Sequence, residues 1–586
     1  MSPVPVPASL ATGSVVLPTR IKTAFAFRWS DALVPSPWVT TKSTTPFAYL
    51  IIAMGLASLT LVNRAEVVAN EQPNIVIILA DDLGFSDLGC YGGEIETPNL
   101  DRLAEDGLRF TQFYNTARCW PTRSAMMTGH YAQAIGKDTL IEGKRRGAHN
   151  LRPDWAPLIS VPLREVGYRS YHSGKWHIDG KPTENGFDRS YWLRDHDRLF
   201  GPTKHFLDDK TLKPVTDDES YYSSTAIADH AIECLQDHAA EHSSQPFFSF
   251  VTFNVPHFPL QAPAEDIAKY DGRYDDGWQA MRQRRFERMQ DLLHLPAKLS
   301  PVEPDVGPPY YFADAFEKLG SGEVNRPVDW ESLTSAQKEF QANKMEIHAA
   351  MVDRMDQEIG RLLDQVDAMG QTDNTLVIFL SDNGASAEIM VRGDGHDQEA
   401  MMGTGETYLC LGPGFSNACN TPFRRHKTWV HEGGTSTPLV VRWPKKITDA
   451  GALRNQPGHV VDLWPTIADA VTATSRTEET PFEVIGLPGG YDRPGKSLLP
   501  TIVANTSVAR DHLWWLHEGN RAIIAGDWKL VAAKDQPWEL FNLAEDRSEC
   551  VDLSHTHQER VAELSAMWIA ETEKIRQCVD AYTGED

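Results

Sequence analysis

The sequence predicts an α/β fold: a large, mostly parallel sheet flanked by helices on both faces, with a smaller C-terminal subdomain of antiparallel sheet plus helix. Uninterrupted apolar, β-branched runs at 74–80 and 375–380 are typical of strands covered on both faces of a parallel sheet. Apolar residues at helical spacing lie between these runs, and such alternation indicates a parallel sheet. After residue 505 the pattern changes to short strands separated by Gly-Asn and Gly-Asp turns.

The elements of the main sheet follow in order. After the first strand, Thr97 and Pro98 predict a helix start, and Gly107 predicts its end. Residues 345–363 carry apolar side chains at helical spacing and predict a second helix. A further strand is expected at 438–441, where the apolar residues again run together.

The C-terminal region predicts a small antiparallel sheet and one helix. Its expected strands and helix lie at 512–516, 521–524, 529–532 and 558–577. We therefore divide the chain into a main α/β domain at 73–504 and a subdomain at 505–586. Residues 271–335 are polar, Arg-rich and interrupted by Pro, so we expect a long insertion rather than core.

The first 72 residues have the composition of a leader. An apolar run at 47–62 is short for a membrane span and resembles the hydrophobic part of a signal peptide. Four basic residues and one acid precede the run, and small residues at 67–69 offer a cleavage site. The segment before the run is long for a signal peptide, so an uncleaved anchor is the alternative. We expect an exported, periplasmic or secreted protein with no membrane span elsewhere.

Charge and cysteine content exclude some functions. The chain has 56 Lys and Arg against 81 Asp and Glu, a net charge of −25, which would repel a phosphate backbone and argues against nucleic acid as a partner. Seven cysteines among 586 residues are too few for a disulfide scaffold. Cys410 and Cys419 flank a Gly-Pro-Gly sequence and could close a small disulfide loop; free buried thiols are the alternative.

Two buried strands end in acidic residues. The first continues into Asp81-Asp82, and the second into Asp382-Asn383. Ligands of parallel sheets gather at the carboxyl ends of the strands, and adjacent buried acids need a compensating cation. Carboxylate and amide oxygens favour Ca²⁺ or Mg²⁺ over zinc. The alternative is that these acids only cap the turns that follow.

A cysteine lies near the expected start of a short helix. Pro121 is suited to the first position of a helix that should end at Gly129, which places Cys119 near the helix N-terminus. A helix N-terminus attracts anions and acidifies a thiol, and Arg123 adds a bidentate anion donor. On these residues alone, a buried structural thiol explains Cys119 equally well.

Nine stretches between residues 74 and 444 form a recognisable series, which extends to Leu540-Phe541-Asn542-Leu543. They are NIVIILADDLG, TPNLDRLAEDGLRFTQFY, CWPTRSAMMTG, GYRSYHSGKWH, NGFD, VPHFPLQAP, SDNGA, TPFRRHKTW and HEGG…TPLVVRWP. Together they resemble the sulfatase family of the alkaline-phosphatase-like superfamily, in the arylsulfatase-type branch. The Cys-x-Pro-x-Arg core is diagnostic, because the family's formylglycine-generating machinery, an implied partner, reads it to oxidise the cysteine. Gly129-His130-Tyr131 departs from the family's frequent Gly-Arg-Tyr but touches no catalytic position.

The resemblance implies a role for each site residue. The metal ligands, usually to Ca²⁺, would be Asp81, Asp82, Asp382, Asn383 and the formylglycine at Cys119. The residues that bind the sulfate or move protons would be Arg123, Lys175, His177, His257 and Lys427. Lys175 and His177 lie two apart on a segment expected to be extended, so both would point to one face. Taken singly, each lysine or histidine is more often a solvated loop residue. His426 and His431 match no catalytic position and are expected to be structural.

The implied reaction is hydrolysis of a sulfate ester to an alcohol or phenol and sulfate. A formylglycine gem-diol would attack sulfur with Asp382 as base, His257 would protonate the leaving oxygen, and His177 would assist release of sulfate. The substrate would be a sulfated small molecule or glycan. The alternatives are a phosphonate monoester or phosphodiester hydrolase of the same superfamily and a catalytically silent binding protein.

Overall fold

The computed structural model describes residues 72–139, 151–216, 218, 220–393, 395–473, 482 and 487–583. The expected leader, with its apolar run at 47–62, lies outside these residues, so export and signal cleavage stay predictions. Within the described part of the chain, no helix combines the length and the apolar composition needed to cross a membrane.

The strands of the main region form one large sheet and a separate pair. In chain order they are β1 (Asn74–Asp81), β2 (Leu108–Phe110), β3 (Phe113–Tyr114), β4 (Arg169–Lys175), β5 (Arg189–Leu193), β6 (His205–Leu207), β7 (Lys210–Thr211), β8 (Phe247–Pro256), β9 (Thr375–Ser381), β10 (Leu439–Arg442), β11 (Leu453–Arg454) and β12 (Gly458–His459). The large sheet has the spatial order β11-β2-β10-β9-β1-β8-β4-β5-β6-β7, and β3 pairs with β12. Its central strands β9, β1, β8, β4 and β5 are all parallel, which confirms the predicted mostly parallel sheet.

The strand expected at 438–441 is present as β10, but it runs antiparallel to β9. A parallel neighbour would require a crossover to the opposite edge of the sheet. Instead, the chain leaves β9 at its carboxyl end and enters β10 from that same edge. The connection between β9 and β10 therefore begins and ends at the carboxyl edge, where the acidic residues lie.

Helices cover both faces of the large sheet. In chain order they are α1 (Pro98–Glu105), α2 (Cys119–Thr128), α3 (Ser160–Glu165), α4 (Ser223–Glu241), α5 (Ala264–Ile267), α6 (Gly277–Leu293), α7 (Ala313–Leu319), α8 (Ser335–Ala368), α9 (Gly412–Cys419), α10 (Glu432–Thr435), α11 (Leu463–Thr472), α12 (Leu499–Ala504) and α13 (Gln558–Thr583). Successive residues of β1 face opposite sides. Val76 and Ile78 belong to the core that includes α1, α4 and α8, whereas Ile75 and Ile77 belong to the core that includes α2 and α11.

The helix predicted at 345–363 is longer than expected. It is α8, with 34 residues, and it begins ten residues earlier. Thr334 and Gln337 form a capping box at its start, in which each side chain bonds to the other residue's backbone N–H. The first turns of α8 are polar and more exposed than the rest, so apolar spacing alone did not reveal them.

The C-terminal region contains the predicted small sheet and helix, with one strand more than expected. Its four antiparallel strands are β13 (Leu513–His517), β14 (Asn520–Ala525), β15 (Trp528–Ala532) and β16 (Glu539–Asn542), followed by α13. Trp514, Ile523 and Leu530 belong to the same core as Ile75 and Ile77 of the large sheet. The domain boundary near residue 505 stays a prediction.

The prediction of a peripheral insertion at 271–335 is wrong for much of that segment. Trp278 and Met289 of α6 belong to the main core, and Trp278 packs against Phe415 of α9. Arg285, on the same helix, is fully buried. Its charge is tolerated there because Asp87 and Glu94 both pair with it at 2.7 Å. An arginine-rich sequence suggested exposure, but buried partners satisfy this charge.

The proposed Cys410–Cys419 disulfide is also wrong, since both residues are free thiols. The residues between them form helix α9 rather than a tight turn. The Cys410 thiol donates to the Met390 carbonyl oxygen, and Cys419 lies against Met345 and His348. The two thiols therefore face different surroundings.

Candidate active site

The two acidic strand ends meet, as the sequence predicted. β1 and β9 are parallel neighbours with Ala80 opposite Ser381, so the residues that follow emerge at one edge. The Asp82 N–H donates to Asp382 Oδ1 over 3.4 Å, and Asn383 Nδ2 donates to Asp82 Oδ1 over 2.7 Å. Asp82 has a left-handed backbone (φ 68°), which turns the chain sharply at the end of β1.

The donor atoms of this edge fit a divalent cation. One oxygen each of Asp81 and Asp382 and the Cys119 sulfur lie within 4.8 Å of one another. Oδ1 of Asp81 and Oδ1 of Asn383 are buried and, among the described residues, have no hydrogen-bond partner. Buried oxygens without donors are costly unless an ion or water satisfies them. Their oxygen chemistry suits Ca²⁺ or Mg²⁺, and nothing in the geometry chooses between the two.

Three cationic side chains surround these carboxylates. Arg123 of α2 contacts Asp382 Oδ2 through Nε at 2.9 Å and Nη2 at 2.8 Å, and its Nη1 donates to the Lys175 carbonyl oxygen. Lys175, the last residue of β4, contacts Asp81 through Nζ. Lys427 Nζ lies 2.8 Å from Asp82 Oδ1. The three cations are buried together, and each is paired with one of the carboxylates.

Burial and pairing separate the two central carboxylates. Burial alone would raise the pKa of Asp81, but Lys175, His257 and Arg123 hold it well below its usual value. Burial raises the pKa of Asp382 to about 7, and repulsion from Asp81 adds to the effect although Arg123 opposes it. Two neighbouring carboxylates repel each other, so one ionises more readily than the other, and here Asp81 is the more readily ionised.

Cys119 is the first residue of α2, as expected for a helix N-terminus, and it is 3% exposed. Pro121 is the third helical residue rather than the first. The expectation of an acidified thiol is wrong, because burial raises the pKa of Cys119 and outweighs the attraction of Lys175 and Lys427. The residue is thus placed among ligand atoms without being activated as a thiolate.

Two predicted imidazoles lie beside this cluster. His257 follows β8, and its Nε2 lies 3.9 Å from Asp82 Oδ2. Its Nδ1 contacts the Phe258 carbonyl oxygen at 2.5 Å and must carry a proton to donate there. Burial lowers the pKa of His257, partly offset by Asp82, and also lowers that of His177.

The prediction that Lys175 and His177 lie on one extended segment and point to the same face is wrong. The strand β4 ends at Lys175, and His177 has a left-handed backbone (φ 51°) rather than an extended one. The turn still leaves His177 near the cluster, with its ring 5.7 Å from the Trp120 ring. His426 and His431 contact Ser416 and Glu539, outside the group of predicted site residues.

Two residues of the site were missed. Glu388 is buried and pairs with Lys427 Nζ at 3.1 Å and Arg118 Nη2 at 3.3 Å, so it is a second carboxylate partner of the lysine besides Asp82. His196 lies between His177 and His257, at ring-centroid distances of 5.4 and 5.8 Å. Glu388 lies six residues beyond Asp382 in an otherwise small and apolar stretch, which is a weak signal. His196 lies in a polar loop and gave none.

Buried oxygen atoms that could hold a cation, with arginine and lysine around them at the carboxyl edge of a parallel sheet, are typical of a hydrolase that acts on a tetrahedral oxyanion. The comparisons with known proteins agree with this class. Residues 73–473 match the protein family described as Sulfatase. The chain belongs to the sulfatase family and is a sulfatase enzyme.

Named relatives cover most of the chain. An uncharacterized sulfatase of Schizosaccharomyces pombe is 30% identical over 555 residues, covering 85% of this chain and 93% of the relative. An arylsulfatase of Klebsiella aerogenes is 31% identical over 490 residues, covering 77% of this chain and 95% of the relative. Both support hydrolysis of sulfate esters as the activity of this chain.

Solved structures share the fold. The crystal structure of Ps i-CgsB has a TM-score of 0.60 and 24% identity, covering 86% of this chain and 94% of its own. The phosphonate monoester hydrolase of Silicibacter pomeroyi has a TM-score of 0.54 and 20% identity, covering 86% and 96%. At these sequence identities the structural similarity shows the shared fold only, and it is equally consistent with sulfate and phosphonate esters as substrates.

Proposed function

We propose that this chain hydrolyses sulfate monoesters with a formylglycine formed from Cys119 and a divalent cation held by Asp81, Asp82, Asp382 and Asn383. The observation that carries the proposal is the Cys119 sulfur within 4.8 Å of the Asp81 and Asp382 ligand oxygens, in a Cys-x-Pro-x-Arg sequence at a helix start. When present, formylglycine supplies the nucleophilic oxygen and the cation supplies Lewis-acid stabilisation of charge.

The cationic side chains of the protein would bind the sulfate group. Lys175 and Lys427 have flexible ammonium groups that now contact carboxylates and can reach an oxyanion placed beside them. Arg123 contacts Asp382 Oδ2 through Nε and Nη2, so its main role is to hold that carboxylate in place. A sulfate monoester has three terminal oxygens, which suits a site with several separate cations.

Three groups would move protons. Asp382 Oδ2 is held by Arg123, which leaves Oδ1, with its long 3.4 Å hydrogen bond, to accept a proton from the attacking oxygen. His257 Nε2 would protonate the leaving oxygen, since Nδ1 is engaged with Phe258. A bound ester adds negative charge that favours the protonated ring. His177 would take up a proton when sulfate is released.

The first test compares esters that share a leaving group. We expect kcat/KM for 4-nitrophenyl sulfate to exceed that for bis(4-nitrophenyl) phosphate by at least about 100-fold, a difference of about 2.7 kcal/mol. The physical reason is the number of terminal oxygens: a sulfate monoester presents three of them to Lys175 and Lys427, whereas a phosphodiester presents two. 4-Nitrophenyl phenylphosphonate is measured in parallel. A faster phosphonate or phosphodiester reaction would favour the alternative hydrolase.

A second test concerns His257. We expect His257→Ala to lose about 10²–10³ in kcat/KM on sulfate esters of alkyl or sugar alcohols, because these leaving groups need a proton. Nitrophenolate departs without one, so the loss on 4-nitrophenyl sulfate should be less than about tenfold. Lys175→Ala is the matched control and should lose a similar factor on both substrate types. Equal losses for His257→Ala across leaving groups would remove it from the acid role.

A further inference from the structure

Glu388 is a buried carboxylate that the proposed mechanism does not use. Its side chain is 1% exposed and pairs with two cations: Oε2 lies 3.1 Å from Lys427 Nζ, and Oε1 lies 3.3 Å from Arg118 Nη2. Ser386 Oγ donates to Oε2 over 3.0 Å, and the Glu388 N–H donates to Ser386 Oγ over 3.2 Å. The carboxylate is therefore held in one orientation, with one oxygen for each cation.

Arg118 connects this carboxylate to the start of helix α2. It is the residue before Cys119, which is the first residue of the helix. Its Nη1 donates to Thr428 Oγ1 over 3.0 Å, and its guanidinium lies 5.1 Å from the centre of the Trp120 ring. Because the guanidinium is fixed on several sides, it can serve as an anchor for Glu388.

Backbone hydrogen bonds join the same segments. The Lys427 N–H donates to the Ala385 carbonyl oxygen over 3.1 Å, and the Thr428 N–H donates to the Ala117 carbonyl oxygen over 2.9 Å. These bonds place the loop that carries Lys427, but they leave its flexible four-carbon side chain free to rotate. The Glu388 carboxylate restricts that rotation, because it binds the ammonium group at the end of the side chain.

Asp82 is the other carboxylate partner of Lys427, and the two partners are not equivalent. Asp82 Oδ1 also accepts a hydrogen bond from Asn383, and in the proposed function Asp82 is a ligand of the divalent cation. Within the described part of the chain, Glu388 has no hydrogen bond or ion pair with a proposed metal ligand. Glu388 can therefore hold Lys427 in place while Asp82 is engaged with other groups.

We propose that Glu388 is a positioning residue for Lys427: it ties the ammonium group to Arg118 and so to the helix start that carries Cys119. The inference rests on the proposed function, in which Lys427 binds a sulfate oxygen and Cys119 gives rise to the nucleophile. Both groups act on the same sulfate group, so the distance between them must be fixed. In such an arrangement a misplacement of about 1 Å can lower the rate about 100-fold.

The experiment is a double-mutant cycle that measures kcat and KM for 4-nitrophenyl sulfate in Glu388→Gln, Lys427→Ala and the double variant. Glutamine keeps the size of the side chain but removes its charge, so Glu388→Gln should lower kcat about 10- to 100-fold. Loss of a negative charge does not weaken the binding of an anion, so KM should change less than about threefold. In the Lys427→Ala background the same substitution should change kcat less than about twofold, because the positioned group is gone.

Glu432→Gln is the matched control. Glu432 is also a buried carboxylate that pairs with one lysine and one arginine, Lys529 and Arg547, each at 2.8 Å. Neither cation is a proposed site residue. The substitution should therefore lower the thermal midpoint and leave kcat of the folded protein within about twofold of the wild type.

Arg118→Met removes the other end of the tie and is the second variant, needed if Glu388→Gln does not fold. It should lower kcat in the wild-type background and not in the Lys427→Ala background. Equal losses of kcat in the two backgrounds would overturn the inference, because the effect would then not pass through Lys427. Wild-type kcat in folded Glu388→Gln would overturn it as well. Failure of the proposed function has a different signature, since the wild type would then hydrolyse no sulfate ester.

Discussion

Replacement of Cys119 by alanine is expected to lower kcat for 4-nitrophenyl sulfate by about 10⁴-fold or more, because it removes the precursor of the nucleophile. Cys119→Ser should lose a similar factor in a host whose machinery accepts only cysteine. The structure makes a thiolate nucleophile a poor substitute, since burial raises the pKa of Cys119. Mass spectrometry of the tryptic peptide that contains residue 119 should show the sulfur replaced by an aldehyde oxygen.

Cys578→Ala is the matched control for this experiment. Cys578 is also fully buried, but it lies in α13, outside the site. Its replacement should therefore lower the stability of the protein and leave the specific activity of the folded protein near that of the wild type. Fully active enzyme with an unmodified cysteine at 119 would contradict the proposed mechanism. A Cys119→Ala variant with wild-type turnover would do the same.

The parts of the fold that were predictable are those with strong local patterns. β1 and β9 are buried at every position and apolar between their polar ends, because helices cover both sides of the sheet. Parallel neighbours deliver their carboxyl ends to one edge, so Asp81 and Asp382 could be expected to meet without knowledge of the structure. A short helix after Cys119 was predictable from Pro121 and Gly129.

The parts that were missed depend on contacts between distant segments. The strand β10 could not be assigned a direction from its four residues, because direction is set by where the chain enters the sheet. Arg285 lies in an arginine-rich stretch whose composition predicts exposure, but its partners Asp87 and Glu94 lie almost 200 positions earlier in the sequence. The Cys119 thiol illustrates the same limit, since a helix N-terminus is a local signal whereas burial is a property of the whole fold.

The residues of the candidate site also fall into a predictable group and an unpredictable one. Residues inside family-like motifs, such as Lys427, could be named from the sequence. Glu388, which holds Lys427, and His196, which lies beside two predicted histidines, could not, because their only signal is proximity in space.

Removal of the divalent cation is expected to abolish turnover and to lower the thermal midpoint of the wild-type protein. A cation that binds only the folded chain stabilises it by about 2.7 kcal/mol when its free concentration is about 100 times the Kd. The stabilisation is specific to this site if Asp382→Ala removes it, because that variant loses a ligand oxygen and the partner of Arg123. Thermal unfolding with chelator, Ca²⁺ or Mg²⁺ gives a readout that is independent of activity.

Asp373→Ala is the matched control for Asp382→Ala. Asp373 is an exposed acid just before the amino end of the same strand, so its loss removes an equal charge without touching the site. We expect Ca²⁺ or Mg²⁺ to stabilise the wild type and Asp373→Ala by the same amount and to leave Asp382→Ala unchanged. Metal analysis of the Asp81→Ala, Asp382→Ala double variant completes the test. Stoichiometric metal retained by that variant would show that the cation is held elsewhere, and the two strand ends would then need another explanation for their buried charge.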